Sequence, residues 1–503
     1  MIFQAGATCP SNPHPLTPSP RSGEGENSLP KTTVFSKSSP PSPLRGEGPR
    51  VRPRSADRPS RQRSPWILLT LLAVLFHFPP LQAAPPPTAA SVLAEFDRLA
   101  VQPLWPNFAP GKTPLAIYDG ERTILVRHPS PPPEFKKEGD LWVFAGRHPE
   151  VKANTSIELG GVKTATMEID PRSTRDSRAW ASIVIHETFH AFQRERHPTW
   201  SGNEAELFLY PMEDAGPLAA RRLETEAFRR ALAAKELKEA ACWTSRALDE
   251  RRDRFAKLPA GAVGYERGTE LNEGLANFVE NLSLGKTQGP DLPASEYAAD
   301  AVRSRAYPIG FAQAALLDRF DSSWRQTLEA GQAASLDELL AKAVAGKPAT
   351  VCGFKPEEIA GASERAKADV LRLAQTRRES REAFLGRSGW RLEIVSAKPL
   401  WPQGFDPLNV TLVAKGEILH RRFVKLGNED STLEVLGREA LTQAAGEHPL
   451  FNGVRDLQVT GLPAEPKVTQ EGDFVVIAAE GVTARLKGAK VEKGERALKV
   501  TVP

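Results

Sequence analysis

The spacing of apolar residues changes five times along the chain. Residues 1–64 show almost no apolar periodicity, and residues 66–78 form an uncharged apolar run. Residues 85–175 open with a helical pattern, SVLAEFDRLA, and then alternate with the period of a strand. There LAIYDGERTILV predicts a hairpin about Asp119-Gly120, a dipeptide suited to a tight turn with positive φ. Residues 141–145 predict another strand, and SIELGGVKTATMEI a second hairpin about Gly160-Gly161. From 176 to about 385 the pattern is helical. In SRAWASIVIHETFHAFQRERHP, the positions Ile183, Val184, Phe189 and Phe192 fit a buried or half-buried helix. Residues 218–257 contain no Gly or Pro and are rich in the strongest helix formers, which predicts a long helix. Its many charges fit a solvated face laced with i,i+4 pairs, and no chemistry is assigned to them. A helix holding ELNEGLANFVENL follows, then one over about 309–319. Past Trp390, short alternating runs such as RLEIVSA, NVTLVA and DFVVIAA return, separated by Gly, Asn, Asp and Pro.

These textures predict an α+β protein. It has a small antiparallel sheet over residues 85–175, a mainly helical domain over 176–388 and a C-terminal β-sandwich-like domain over 389–503. Residues 1–64 hold 12 of the 44 prolines and a near-repeat, PSPRSGEGE and PSPLRGEGP, so they read as disordered. They also look like translated repetitive intergenic DNA, with the true start at Val51. Arg58, Arg61 and Arg63, the apolar run 66–78 and the small residues to Ala84 have the layout of a secretion signal over 65–84. The run is short of the roughly 20 residues of a membrane span. An exported protein with no integral span after cleavage is expected.

Charge adds an exclusion. Residues 1–64 hold 10 Lys+Arg against 4 Asp+Glu and residues 65–84 none. Of the total 66 and 62, the rest therefore carries 56 against 58, a net of −2. Such a body offers no footprint for nucleic acid. Cys9 lies in the N-terminal segment, which leaves Cys242 and Cys352 either to pair, if the protein is exported, or to stay as buried thiols. The isolated His420 and His448 read as framework residues.

The candidate chemistry lies in Ile185-His186-Glu187-Thr188-Phe189-His190. On a helix, His186 and His190 stand on one face and can aim two imidazole nitrogens at one point, as a tetrahedral Zn²⁺ site requires. Glu187, one residue round, can reach a water at the metal without ligating it. A third ligand is needed, and Glu266, Glu270 and Glu273, at i, i+4 and i+7, all offer a carboxylate on one helical face.

The stretch LNEGLANFVE resembles the NEG(F/L)A segment of gluzincin metallopeptidases, especially the aminopeptidase-N-like and thermolysin-like enzymes. The resemblance implies Glu273 as the third zinc ligand and a zincin-type catalytic domain. Thermolysin-like members carry an acidic residue four positions later that holds a ligand histidine, a place taken here by Asn277, which can accept the same bond without its charge. AYPIGFA resembles the family's Tyr-x-x-Gly segment, which implies Tyr307 as a hydrogen-bond donor to the oxyanion. The family's Gly-x-Met-Glu-Asn reader of free amino termini is represented only by Met167-Glu168, so aminopeptidase specificity is not implied. Together the motifs imply an exported zinc metallopeptidase acting on peptide or protein substrates. The TATMEI strand is expected at the sheet edge, where an extended substrate can pair with it. A non-peptidase zinc hydrolase and a non-catalytic scaffold are the other readings.

Overall fold

The computed structural model describes residues 87–503 except 153, 171–172, 295, 332–334 and 348–350. The readings for residues 1–64 and 65–84 lie outside the described residues. The chain is α+β, with a C-terminal β-rich domain.

Helix α1 (Ala89–Ala100) starts at Thr88, whose hydroxyl accepts from the Ser91 N–H, and it buries Val92, Phe96 and Leu99. Six strands follow: β1 (Leu115–Tyr118), β2 (Arg122–Val126), β3 (Lys136–Glu138), β4 (Leu141–Ala145), β5 (Thr155–Leu159) and β6 (Val162–Glu168). Both expected hairpins are present, turning through Gly120 at φ 102° and through Gly160 and Gly161 at φ 53° and 76°. The sheet is mixed, however, rather than antiparallel. Its order is β3-β4-β2-β1-β6-β5, and β1 and β6 run parallel. Hairpin signals report only pairs close in sequence. The joint between the hairpins is made by two strands buried through most of their length, LAIY and the centre of VKTATME, which suits parallel neighbours inside a sheet. TATMEI is therefore an inner strand, contrary to expectation, and β5 is the edge.

Among the described residues, ten α-helices come next: α2 (Ser177–Arg196), α3 (Ala205–Leu209), α4 (Ala215–Ala233), α5 (Leu237–Phe255), α6 (Ala260–Thr269), α7 (Leu275–Ser283), α8 (Val302–Phe320), α9 (Trp324–Glu329), α10 (Leu336–Val344) and α11 (Pro356–Leu385). A π-helical turn, Glu270–Gly274, joins α6 to α7. The expected long helix is two. The backbone turns extended at Ala234, and α5 folds back so that Arg251 reaches Glu224 on α4. The Ala faces of the pair (Ala227, Ala231, Ala240, Ala241) are all buried, and this packing overrides the propensity to continue. Helix α8 begins seven residues before the expected 309 and carries Pro308 inside it. The Ser304 carbonyl, which loses its partner to that proline, sits at an exposed position.

Part of α4 and α5 carries the expected i,i+4 pairs, Glu226 with Arg230 at 2.7 Å and Glu250 with Arg246, but Glu224, Arg251 and Arg254 are buried rather than solvated. Fully buried Glu224 accepts from Arg251 at 2.7 Å, Arg254 at 2.6 Å and Arg305 at 3.0 Å. Arg254 also holds Glu266 at 2.9 Å, and Arg251 holds Glu270 at 2.7 Å. Burial works to raise the Glu224 pKa, but the three guanidinium groups outweigh it and hold it well below the usual carboxylate range. Arg254→Leu removes the guanidinium that Glu224 and Glu266 share, leaving Glu266 to Tyr210 at 2.5 Å, and is expected to cost about 3–5 kcal/mol in denaturant unfolding. Because the folded pKa of Glu224 is depressed, its stabilisation is present above the unfolded value near 4.3 and is lost as pH falls below it.

Cys242 and Cys352 form a disulfide that ties α5 to the segment before α11, a choice between two readings that spacing alone left open. The C-terminal domain consists of β7 (Trp390–Phe405), β8 (Val410–Ala414), β9 (Glu417–His420), β10 (Phe423–Gly427), β11 (Ser431–Leu436), β12 (Ala440–Ala444), β13 (Val454–Leu462), β14 (Lys467–Glu471), β15 (Phe474–Ala479), β16 (Val482–Lys487), β17 (Lys490–Gly494) and β18 (Ala497–Val502). They form one 12-stranded sheet, antiparallel except where β18 meets β7. The long β7 joins its two halves, pairing with β13 and β18 early and with β10 late. His420 is buried there against Thr442 at 3.1 Å, and its pKa falls to about 3 through burial. His448 bonds the Ala205 carbonyl at 3.0 Å, so both are framework residues. Among the described residues, no helix is long and apolar enough to cross a membrane.

Candidate metal centre

Asp176 caps α2, its carboxylate accepting from the Ala179 N–H, and the helix is buried through most of its middle. One turn apart on it, His186 and His190 bring their Nε2 atoms to 3.0 Å. Glu273 comes from the π turn, and its Oε2 lies 3.3 Å from His190 Nε2 and 3.7 Å from His186 Nε2. Ligand atoms bound tetrahedrally at zinc distances stand about 3.3 Å apart, so the triangle is of the right size for one ion. All three side chains are buried, and their ligand atoms form a group able to hold a metal. The π turn explains why only one of three carboxylates joins. Its extra residue changes the helical phase between Glu270 and Glu273. Glu266 and Glu270 face Arg254 and Arg251, and Glu273 faces the histidines.

The groups behind the ligands fix their chemistry. Gln193 donates its amide to the Leu271 and Asn272 carbonyls at 2.9 and 3.1 Å, which leaves its oxygen to accept from His190 Nδ1 at 2.9 Å. Glu280 accepts from His186 Nδ1 at 3.1 Å. With both protons on Nδ1, each Nε2 turns a lone pair toward the same point. Glu273 Oε1 accepts from Arg303 at 2.9 Å and Asn272 at 3.2 Å, whereas the buried Oε2 accepts no hydrogen bond. Three lone-pair donors thus converge where a cation fits. Burial works to lower the His186 pKa, but the Glu273 and Glu280 carboxylates prevail and raise it to about 10, so that without a cation Nε2 carries a proton in the place a metal ion would take.

Asn277 lines the cleft, but the histidine partner is Glu280, one helical turn further on, which corrects the expectation. Glu280→Gln is expected to weaken metal affinity about 10- to 100-fold while the protein stays folded, as read by titration against a chromogenic chelator.

Glu187 is 7% exposed, and its Oε2 has no partner. The half-buried ring of Tyr307 stacks on His186 with centroids 6.1 Å apart and planes 12° apart. Burial and then the Glu273 carboxylate raise the phenol well above its usual range, so it keeps its proton. Two glycines set this approach. A Cβ on Gly274 would meet the Gly310 Cα at 2.5 Å, so the glycines of Asn-Glu-Gly and Tyr-x-x-Gly are where the π turn and α8 touch.

Glu187, Tyr307 and the three candidate ligands line one cleft of roughly 710 Å³. Its far wall comes from the β-rich domain, through Asp406, Leu408, Asn409 and Arg422. Glu168 also lines it but is paired with Arg147 and Arg422, so its charge is already matched. Sequence reasoning missed Glu280, Gln193 and Arg303. Their spacings from the ligands or Tyr307 (i+7, i+3 and i−4) were the available signals. No protein-family model, curated protein or solved structure matches this chain.

Proposed function

We propose that this chain is an exported zinc metallopeptidase of the gluzincin type, with His186, His190 and Glu273 as ligands. The observation that carries the reading is the convergence of three buried ligand atoms beside an unpartnered carboxylate oxygen, Glu187 Oε2, in an open cleft. Two imidazoles and a carboxylate at tetrahedral spacing suit zinc. A zinc ion held there would lower the pKa of a water to about 7 and polarise a carbonyl.

Glu187 takes a proton from the attacking water and passes it to the leaving amine. Tyr307, protonated at working pH, donates to the carbonyl oxygen as its charge develops. Arg303 fixes Glu273 through Oε1 and leaves Oε2 for the metal. Strand addition of an extended peptide has the edge β5 available, which begins beside the cleft residue Asn154. The disulfide fits an oxidising compartment, in keeping with the signal-like segment in the sequence.

Incubating the purified protein with a peptide library, with and without a chelator, tests the reading. Cleavage that is lost on chelation and restored by zinc supports it. Turnover of small esters or amides without peptides points to the non-peptidase hydrolase. Tyr307→Phe is expected to retain the metal and lower kcat by about 10²–10³-fold.

A further inference from the structure

The metal cleft does not end at its own walls. A cavity of about 820 Å³ lies beside it, between α3 with the turn that follows and the first strands of the β-rich domain. Leu408 and Asn409 line both spaces, and so form a shared wall. Arg303, which grips Glu273 Oε1 at 2.9 Å, also lines the second cavity, so a single side chain separates it from a candidate ligand. The remaining lining mixes apolar groups, among them Leu209, Met212, Val410 and Leu412, with the carboxylates of Glu213, Asp214 and Asp300. Two of these groups are held in water at evident cost. Leu209 is 52% exposed and Leu408 is 47% exposed. A concavity of this size with large aliphatic groups exposed on α3 and on the segment before β8 has the character of a ligand pocket. Its rim cations are already matched, Arg377 by Glu213 and Arg421 by Glu439, so they leave no excess positive charge to draw an anionic group.

We propose that this cavity is the specificity subsite for a bulky apolar side chain, such as Leu, Phe or Met, carried by the peptide within a few residues of the scissile bond. The β-rich domain thereby selects the substrate instead of serving as an appendage. The proposal rests on the peptidase reading of the adjoining centre, and its test separates the two.

In the full-length, zinc-loaded Glu187→Gln protein, calorimetry compares blocked peptides that differ only by Leu or Ala at one position, scanned in turn. At one position, Leu is expected to bind at least about tenfold tighter than Ala, the scale of a hydrophobic pocket. Adding Leu209→Glu and Leu408→Glu, both at exposed positions, is expected to shrink that ratio below about threefold. The kcat/KM of the unmodified protein is expected to show the same preference. Cleavage without any apolar preference, or a preference that survives in the double variant, overturns the subsite and leaves the peptidase reading standing. A preference in binding that the double variant removes, with no peptide cleaved, supports the subsite and overturns the peptidase reading.

Discussion

Glu273→Gln is expected to reduce bound zinc from about one per chain to near zero at micromolar protein, and peptide hydrolysis to background. The carboxylate is fully buried and supplies the only anionic ligand atom of the three. An amide oxygen in its place retains the shape and loses the charge. The variant also takes from Arg303 the carboxylate it holds at 2.9 Å, while Glu204 stays at 2.5 Å. Burial disfavours the Glu273 anion, yet His190 and Arg303 hold its pKa well below the usual range, which shows how strongly the surroundings favour charge there. Metal content by mass spectrometry reads the result. Zinc retained at full stoichiometry would place the ion elsewhere.

Glu187→Gln is expected to separate binding from catalysis. Its Oε2 is buried, unpartnered and in the cleft, and its neighbours His186 and His190 keep their own Nδ1 partners when it is changed. Zinc should remain near one per chain, while kcat falls by about 10²–10⁴-fold, the range for loss of a general base. A variant with normal turnover would remove Glu187 from the mechanism. Loss of zinc would make it a ligand.

The helix bearing the two histidines and both early hairpins were legible because each is written within a short window, whereas Glu273 was set apart from Glu266 and Glu270 only by the resemblance of its Asn-Glu-Gly segment. A period of four aims two imidazoles together, and Asp119-Gly120 or Gly160-Gly161 supplies the positive φ of a turn. What was not legible depends on residues far apart in the chain. The pairing of β1 with β6 joins segments about fifty residues apart and carries no turn signal. Arg251 and Arg254 of α5 look like part of a solvated stripe until α6, the π turn and α8 close over them. The π turn itself has no pattern in ELNEG, yet it decides which of three evenly placed carboxylates meets the histidines. The cleft wall from Asp406 to Asn409 lies more than two hundred residues from His190, in a domain whose sequence shows only strands.

The most direct test is the anomalous scattering of crystals of the purified protein at the zinc absorption edge. One strong peak per chain is expected about 2.0–2.2 Å from His186 Nε2, His190 Nε2 and Glu273 Oε2. A zinc-replete protein with no peak there, or with its peak at Glu266 or Glu270, would contradict that ligand set.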